Sequence, residues 1–156
     1  VDINMAIIPE PSYGIDGERP ALEACGRVEV MVLEDDPAQQ VLYREMAAAW
    51  SLPVRLTLVS SGYAAMNALS DQMPDVLITD LRMAGIDGFD VIRTLRNAVR
   101  KLAPVPVIVV TGMDIESVRR RRGMPADVPV LRKPVASGEL ERQVKLALAG
   151  SEAKRV

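Results

Sequence analysis

Apolar and polar positions alternate in blocks along this chain. Residues 28–33 form an apolar stretch of strand length, and the block that follows, residues 38–50, carries Leu42, Met46 and Ala49 at helical spacing. The alternation then repeats. Residues 54–59 predict a second strand, residues 62–73 a helix with Ala65, Leu69 and Met73 in register, and residues 75–79 a third strand rich in branched side chains. Phe89, Ile92, Leu95 and Val99 face one way on a third helix. Residues 105–110 are almost unbroken aliphatic, as a strand covered on both faces requires. Residues 114–122 read as a shorter helix, 128–131 as a fifth strand, and 139–149 as a last helix with Leu140, Val144 and Leu148 four apart. Five strands alternating with five helices predict an α/β fold, a doubly wound five-stranded parallel sheet with helices on both faces.

The ordered domain is expected over residues 28–149. Before it, residues 1–27 hold Pro9, Pro11, Pro20, Gly14, Gly17 and Gly26 without periodicity, which predicts an irregular N-terminal extension. That segment starts at Val1 with Met5 close behind, so part of it is expected to stem from processing or cloning. Residues 150–156 are expected to be a short polar tail. Aromatic residues make up only 3% of the chain, so the core must be aliphatic. Nineteen basic against 21 acidic side chains give a net charge of −2, without the basic footprint that direct nucleic-acid binding needs. Histidine is absent, which excludes a Ser-His-Asp triad, a His-ligated zinc site and a phosphohistidine on this chain itself. Cys25 stands alone, so no internal disulfide can form and a reducing compartment is the natural reading. No apolar run approaches the roughly 18–20 residues that cross a bilayer, and residues 1–27 lack a basic region followed by an apolar one. A cytoplasmic chain without membrane contact is expected.

Doubly wound sheets bind ligands at the carboxyl ends of their strands. Strand one ends in Glu34, Asp35 and Asp36, strand three in Asp80, strand four in Thr111 and Gly112, and strand five leads into Lys133 and Pro134. Carboxylates gathered there repel one another unless a cation neutralises them, and hard oxygen ligands suit Mg2+. A carboxylate at Asp80 can attack phosphorus and form an acyl phosphate if cations balance the phosphoryl charge. Lys133 can supply one such cation, and the Thr111 hydroxyl can donate to a phosphoryl oxygen. Plainer roles compete: Asp36 before Pro37 makes a good helix N-cap, Thr111 alone suits a turn, and Lys133 alone a surface charge. Their joint position at the ends of four strands outweighs the plain readings.

The strings Val32-Leu33-Glu34-Asp35-Asp36-Pro37, Pro74 through Met83 with Asp80 at its centre, Val107 through Gly112, and Leu131-Arg132-Lys133-Pro134 resemble the receiver domain of two-component response regulators. The similarity spans residues 28–149 and implies a flavodoxin-like strand order 2-1-3-4-5. It implies that Asp80 accepts a phosphoryl group from a partner histidine kinase or phosphotransfer protein. Asp35, Asp80 and the backbone carbonyl of Arg82 would ligate Mg2+, with Glu34 acting directly or through water. Thr111 and Lys133 would bind phosphoryl oxygens, and Lys133-Pro134 would be a cis peptide. Gly112 would leave room for the phosphoryl group. Two positions depart from the family. Val130 stands where an aromatic residue often moves with the threonine, and Ala84 replaces a usual proline in the loop carrying Arg82. Arg82 and Met113 match positions that influence dephosphorylation in the family.

The basic run 119–122 is expected mainly to balance Asp114 and Glu116 along the fourth helix. A sharper expectation is a homodimer through the surface of the fourth helix, fifth strand and fifth helix, with Glu139 and Glu141 supplying acids. The alternatives to a phosphoacceptor are a phosphorylation-independent interaction module with a structural acidic pocket, and a small Mg2+-dependent phosphohydrolase. The latter lacks the second aspartate that usually stands near the nucleophile, since Arg82 occupies that place.

Overall fold

In the computed structural model, the structure describes residues 26–83, 85–97, 105–121 and 124–154. The element order is β1 (Val28–Leu33), α1 (Pro37–Ala49), β2 (Val54–Val59), α2 (Gly62–Asp71), β3 (Val76–Thr79), α3 (Gly88–Asn97), β4 (Val107–Thr111), α4 (Ile115–Arg120), β5 (Val130–Arg132) and α5 (Ser137–Lys154). All strand pairs are parallel, and the sheet order is β2-β1-β3-β4-β5, as the alternation and the resemblance imply.

Alternation along the strands divides the core into two layers. Met31, Leu33, Leu77, Val107, Val109 and Val130 pack with α2, α3 and α4 residues on one face. On the other, Val30, Val32, Val76, Ile78, Ile108 and Val110 meet Tyr43 of α1 and Leu140 and Val144 of α5. Burying an aliphatic side chain of this kind stabilises a fold by about 1.5–3 kcal/mol. Edge strand β2 exposes Arg55 and Thr57 and half-buries Val54, Leu56 and Leu58, the pattern of a strand with one covered face.

Several boundaries and faces differ from the sequence expectation. On α1 the covered residues are Tyr43 and Met46, with Trp50 at its C-cap, while Leu42 is 43% exposed. Met73 lies beyond α2, which is capped by Gln72, and is exposed. Strands β4 and β5 begin at Val107 and Val130, each directly after a proline that has no N–H for the ladder, Pro106 and Pro129. Both prolines still accept, from Leu77 N at 2.9 Å and Val109 N at 2.9 Å. Helix α5 passes Gly150 and runs to Lys154, so most of the expected polar tail is helical. The extension over residues 1–25 with Cys25, and Ala84, Val99 and Arg122, lie outside the described residues. Among the described residues no helix is long and apolar enough to cross a membrane.

Candidate functional site at the carboxyl edge of the sheet

Sheet register brings the sequence-predicted residues to one edge. Leu33 pairs with both Val59 and Thr79, so Glu34 and Asp80 emerge side by side from β1 and β3. Their main chains continue the ladder by one step: Glu34 N donates to Val59 O at 3.0 Å and Asp80 N to Leu33 O at 3.1 Å. Lys133 N donates to Thr111 O at 2.8 Å, which fixes the end of β5 beside the end of β4.

The centre of the site is a charged bridge. Lys133 Nζ lies 2.7 Å from Glu34 Oε2 and 2.9 Å from Asp80 Oδ2. Glu34 is 1% exposed and Asp80 8% exposed, so two carboxylates are buried together and the ammonium between them offsets their repulsion. Burial pulls the Lys133 ammonium down, but its hydrogen bonds to Asp80 and Glu34 and their charges outweigh that and raise it above the ordinary lysine range. Burial, with a smaller contribution from the charges of Glu34 and Asp80, pushes the Tyr43 hydroxyl upward.

Asp80 Oδ1 accepts from Leu81 N at 2.6 Å and Arg82 N at 3.4 Å, which orients the carboxylate. Behind it, Gly88 opens α3 so closely that a Cβ there would land on the Asp80 carbonyl. Thr79 Oγ1 donates to that same carbonyl at 2.7 Å. Thr111 is fully buried, and its Oγ1 accepts from Met113 N at 3.2 Å. The Lys133-Pro134 peptide is cis. A Cβ on Gly112 would meet nothing within 4 Å. Val130 is 8% exposed and packs in the same layer as Met113 and Met124.

Asp35 is not brought into the bridge. It is exposed, and its side chain forms no hydrogen bond or ion pair with the described residues. Asp36 takes the capping role: its Oδ1 accepts from Ala38 N at 2.9 Å, with Pro37 at the first helical position. Among the described residues no three acidic side chains are gathered tightly enough to hold one ion, because Glu34 is committed to Lys133 and to Asp36 N. The donor chemistry nevertheless fits a hard divalent cation. Glu34, Asp35 and Asp80 against Lys133 leave two negative charges (three minus one) at an edge offering carboxylate and carbonyl oxygens.

Sequence reading passed over Gln40, whose Nε2 donates to Glu34 O at 2.7 Å and Ser60 Oγ at 3.2 Å. A polar residue one turn into a helix that starts beside the acidic cluster was the available signal. The basic run is largely spent within the chain. Arg119 donates to Val128 O at 2.7 Å, Arg120 pairs with Glu116 at 3.4 Å, and the Arg121 guanidinium sits 4.6 Å from the Phe89 ring centre. Glu139 binds Arg142, and Glu141 accepts from Leu52 N and Ser51.

Comparison with known proteins agrees with this fold. The family model described as the response regulator receiver domain matches residues 30–145. A protein-glutamate methylesterase/protein-glutamine glutaminase of Cereibacter sphaeroides is 26% identical over 117 residues, covering 73% of this chain and 30% of that protein. The heme response regulator HssR of Staphylococcus aureus is 29% identical over 126 residues, covering 78% of this chain and 51% of HssR. The chain thus spans at most about half the length of these curated relatives. Among solved structures, the receiver domain of a sensor histidine kinase from Pseudomonas aeruginosa PAO1 superposes with a TM-score of 0.66 at 27% identity, covering 80% of this chain and 99% of that one. That structure is described with a magnesium ion coordinated in its active site cleft. With its strand order, its buried acidic pair and the profile match over residues 30–145, the chain belongs to the response regulator receiver domain family.

Proposed function

We propose that this receiver domain takes a phosphoryl group on Asp80 and passes the change to a partner through its conformation. The observation that carries the reading is the bridge in which Lys133 Nζ reaches Glu34 at 2.7 Å and Asp80 at 2.9 Å. A carboxylate so placed is an oriented nucleophile with one cation at hand, and the charge left over is what a divalent ion would neutralise. In the transfer, one Asp80 oxygen bonds to phosphorus while the phosphorus–nitrogen bond of a donor phosphohistidine breaks. The electron pair stays on the imidazole nitrogen, which takes a proton from solvent. Residues 1–156 hold no histidine, so the donor phosphohistidine lies outside them, on a histidine kinase or phosphotransfer protein. Lys133 then follows the negative charge onto the phosphoryl oxygens, and Thr111 rotates its hydroxyl toward them.

Asp35, Asp80 and the Arg82 carbonyl would hold Mg2+, with Glu34 near it. When bound, Mg2+ supplies charge neutralisation on the phosphoryl oxygens. Gly112 leaves open space at the mouth of the site, while Arg82 and Met113 flank it and set how readily water reaches the acyl phosphate. With Val130 in place of an aromatic, the readout runs through the Met113, Met124 and Val118 packing under α4. Self-association through α4, β5 and α5 would draw on Arg120, whose pair with Glu116 is exposed, since Arg119 is held on the Val128 carbonyl. This assignment makes the chain a cytoplasmic phosphoacceptor and not a turnover enzyme.

A second reading, an interaction module with a structural pocket, is favoured by the separation of Asp35 from the Lys133 bridge. Borohydride trapping separates the two. After incubation with acetyl phosphate and Mg2+, reduction of an acyl phosphate leaves homoserine at position 80, found by peptide mass spectrometry. Conversion at Asp80 supports the phosphoacceptor; no conversion at any aspartate supports the module.

A further inference from the structure

We infer that Gln40 is a positioning residue that fixes the main chain carrying Glu34 and Asp35 for cation binding, an inference that rests on the Mg2+-dependent phosphoacceptor reading above. Every polar group of Glu34 is partnered. Its N–H donates to Val59 O at 3.0 Å, its Oε1 accepts from Asp36 N at 3.2 Å, its Oε2 accepts from Lys133 Nζ at 2.7 Å, and its carbonyl accepts from Gln40 Nε2 at 2.7 Å. The first three come from the β ladder, the local turn and the charged bridge. The fourth exists only because a side chain on α1 reaches back. Strand β2 ends at Val59, so beyond Leu33 the ladder offers the Glu34 carbonyl no strand partner, and an unmade bond at a buried residue is costly.

The same nitrogen lies 3.2 Å from Ser60 Oγ, so the Gln40 amide ties the ends of β1 and β2 to the first turn of α1. That tether sets the plane of the Glu34–Asp35 peptide. Asp35 is exposed and has no side-chain partner among the described residues, so its direction is inherited from that peptide on one side and the Asp36 cap on the other. Gln40 also supplies the donor without a charge. A lysine or arginine reaching the same carbonyl would bring a cation that repels a metal at the acidic edge. Groups that hold ligands in place without touching the metal are known to govern metal affinity.

The test uses the full chain and Mg2+ alone, titrated calorimetrically, alongside phosphorylation by acetyl phosphate at varied Mg2+. Gln40→Met keeps the length and removes the donor. Gln40→Leu removes the donor with a shorter side chain and adds no charge. Both variants are expected to bind Mg2+ about three- to tenfold more weakly, with the phosphorylation rate at saturating Mg2+ unchanged. Ser60→Ala, which leaves the Glu34 bond, is expected to change binding less than about twofold. Wild-type Mg2+ affinity in a folded Gln40→Met protein would overturn the inference. Should that variant not fold, wild-type Mg2+ affinity in a folded Gln40→Leu protein would do the same. Absence of both Mg2+ binding and phosphorylation in the wild type would instead overturn the reading beneath it.

Discussion

Lys133 answers to two buried carboxylates at once, and its titration therefore marks the alkaline limit of the site. Its folded-state pKa is raised above the ordinary value of 10.5, because the bonds to Asp80 and Glu34 outweigh burial. A cation of this kind contributes stability that is complete below the unfolded value and is lost as pH climbs through the folded one. The window accordingly opens near pH 10.5 and extends upward. Tyr43, also shifted upward, loses its own contribution in the alkaline range, so the comparison must hold it constant. Lys133→Met does so. Melting curves should show the variant less stable by about 1–3 kcal/mol at pH 7, since Glu34 and Asp80 lose their shared cation. The gap to wild type should narrow above pH 10.5; a constant gap would mean that the ammonium charge contributes nothing. Gly88 is the second residue whose identity the geometry dictates. Gly88→Ala should cost at least about 2 kcal/mol by chemical denaturation, because the added methyl meets the Asp80 carbonyl and, 2.9 Å away, Thr79 Oγ1.

At the scale of elements, α4 is bound to its own domain more firmly than an exposed basic helix suggests. Arg119 bridges to Val128 O at 2.7 Å and weakly to Pro125 O at 3.4 Å, clamping α4 onto the stretch before β5. Arg119→Ala should therefore lower stability by about 1 kcal/mol and leave the sedimentation coefficient unchanged. A loss of self-association without a loss of stability would contradict this assignment. Helix α5 is held similarly, by Trp50 Nε1 donating to Ser137 O at 3.1 Å and Oγ at 3.0 Å, and by Glu141 accepting from Leu52 N at 2.9 Å. These side-chain clips explain which elements were legible in the sequence. Central strands of branched residues announce themselves, and β1, β3 and β4 follow directly from their apolar runs. The covered face of α1 does not. Spacing by four selects Leu42 and Met46, whereas the domain buries Tyr43, counting its ring as core despite the hydroxyl, and turns Leu42 outward. Gly150 likewise reads as a stop, yet α5 continues to Lys154.

For the whole molecule, parallel order brings four distant segments to one edge. Residues 34, 80 and 133 meet, with Thr111 beside them through the main chain of Lys133, because β1, β3, β4 and β5 all end at the same edge, which the strand-end rule could anticipate from sequence. What it could not anticipate is the division of labour among the acids. Glu34 is buried and fully bonded, Asp36 caps α1, and Asp35 alone remains outside the network. Three adjacent carboxylates thus acquire three environments from one turn of chain. The most direct measurement of the central claim is intact mass after incubation with acetyl phosphate and Mg2+, for wild type and Asp80→Asn, with and without EDTA. The account predicts one added phosphoryl group on the wild type, lost with EDTA and absent from the variant. A wild type that gains no phosphoryl group, or an Asp80→Asn variant that gains as much, would contradict it.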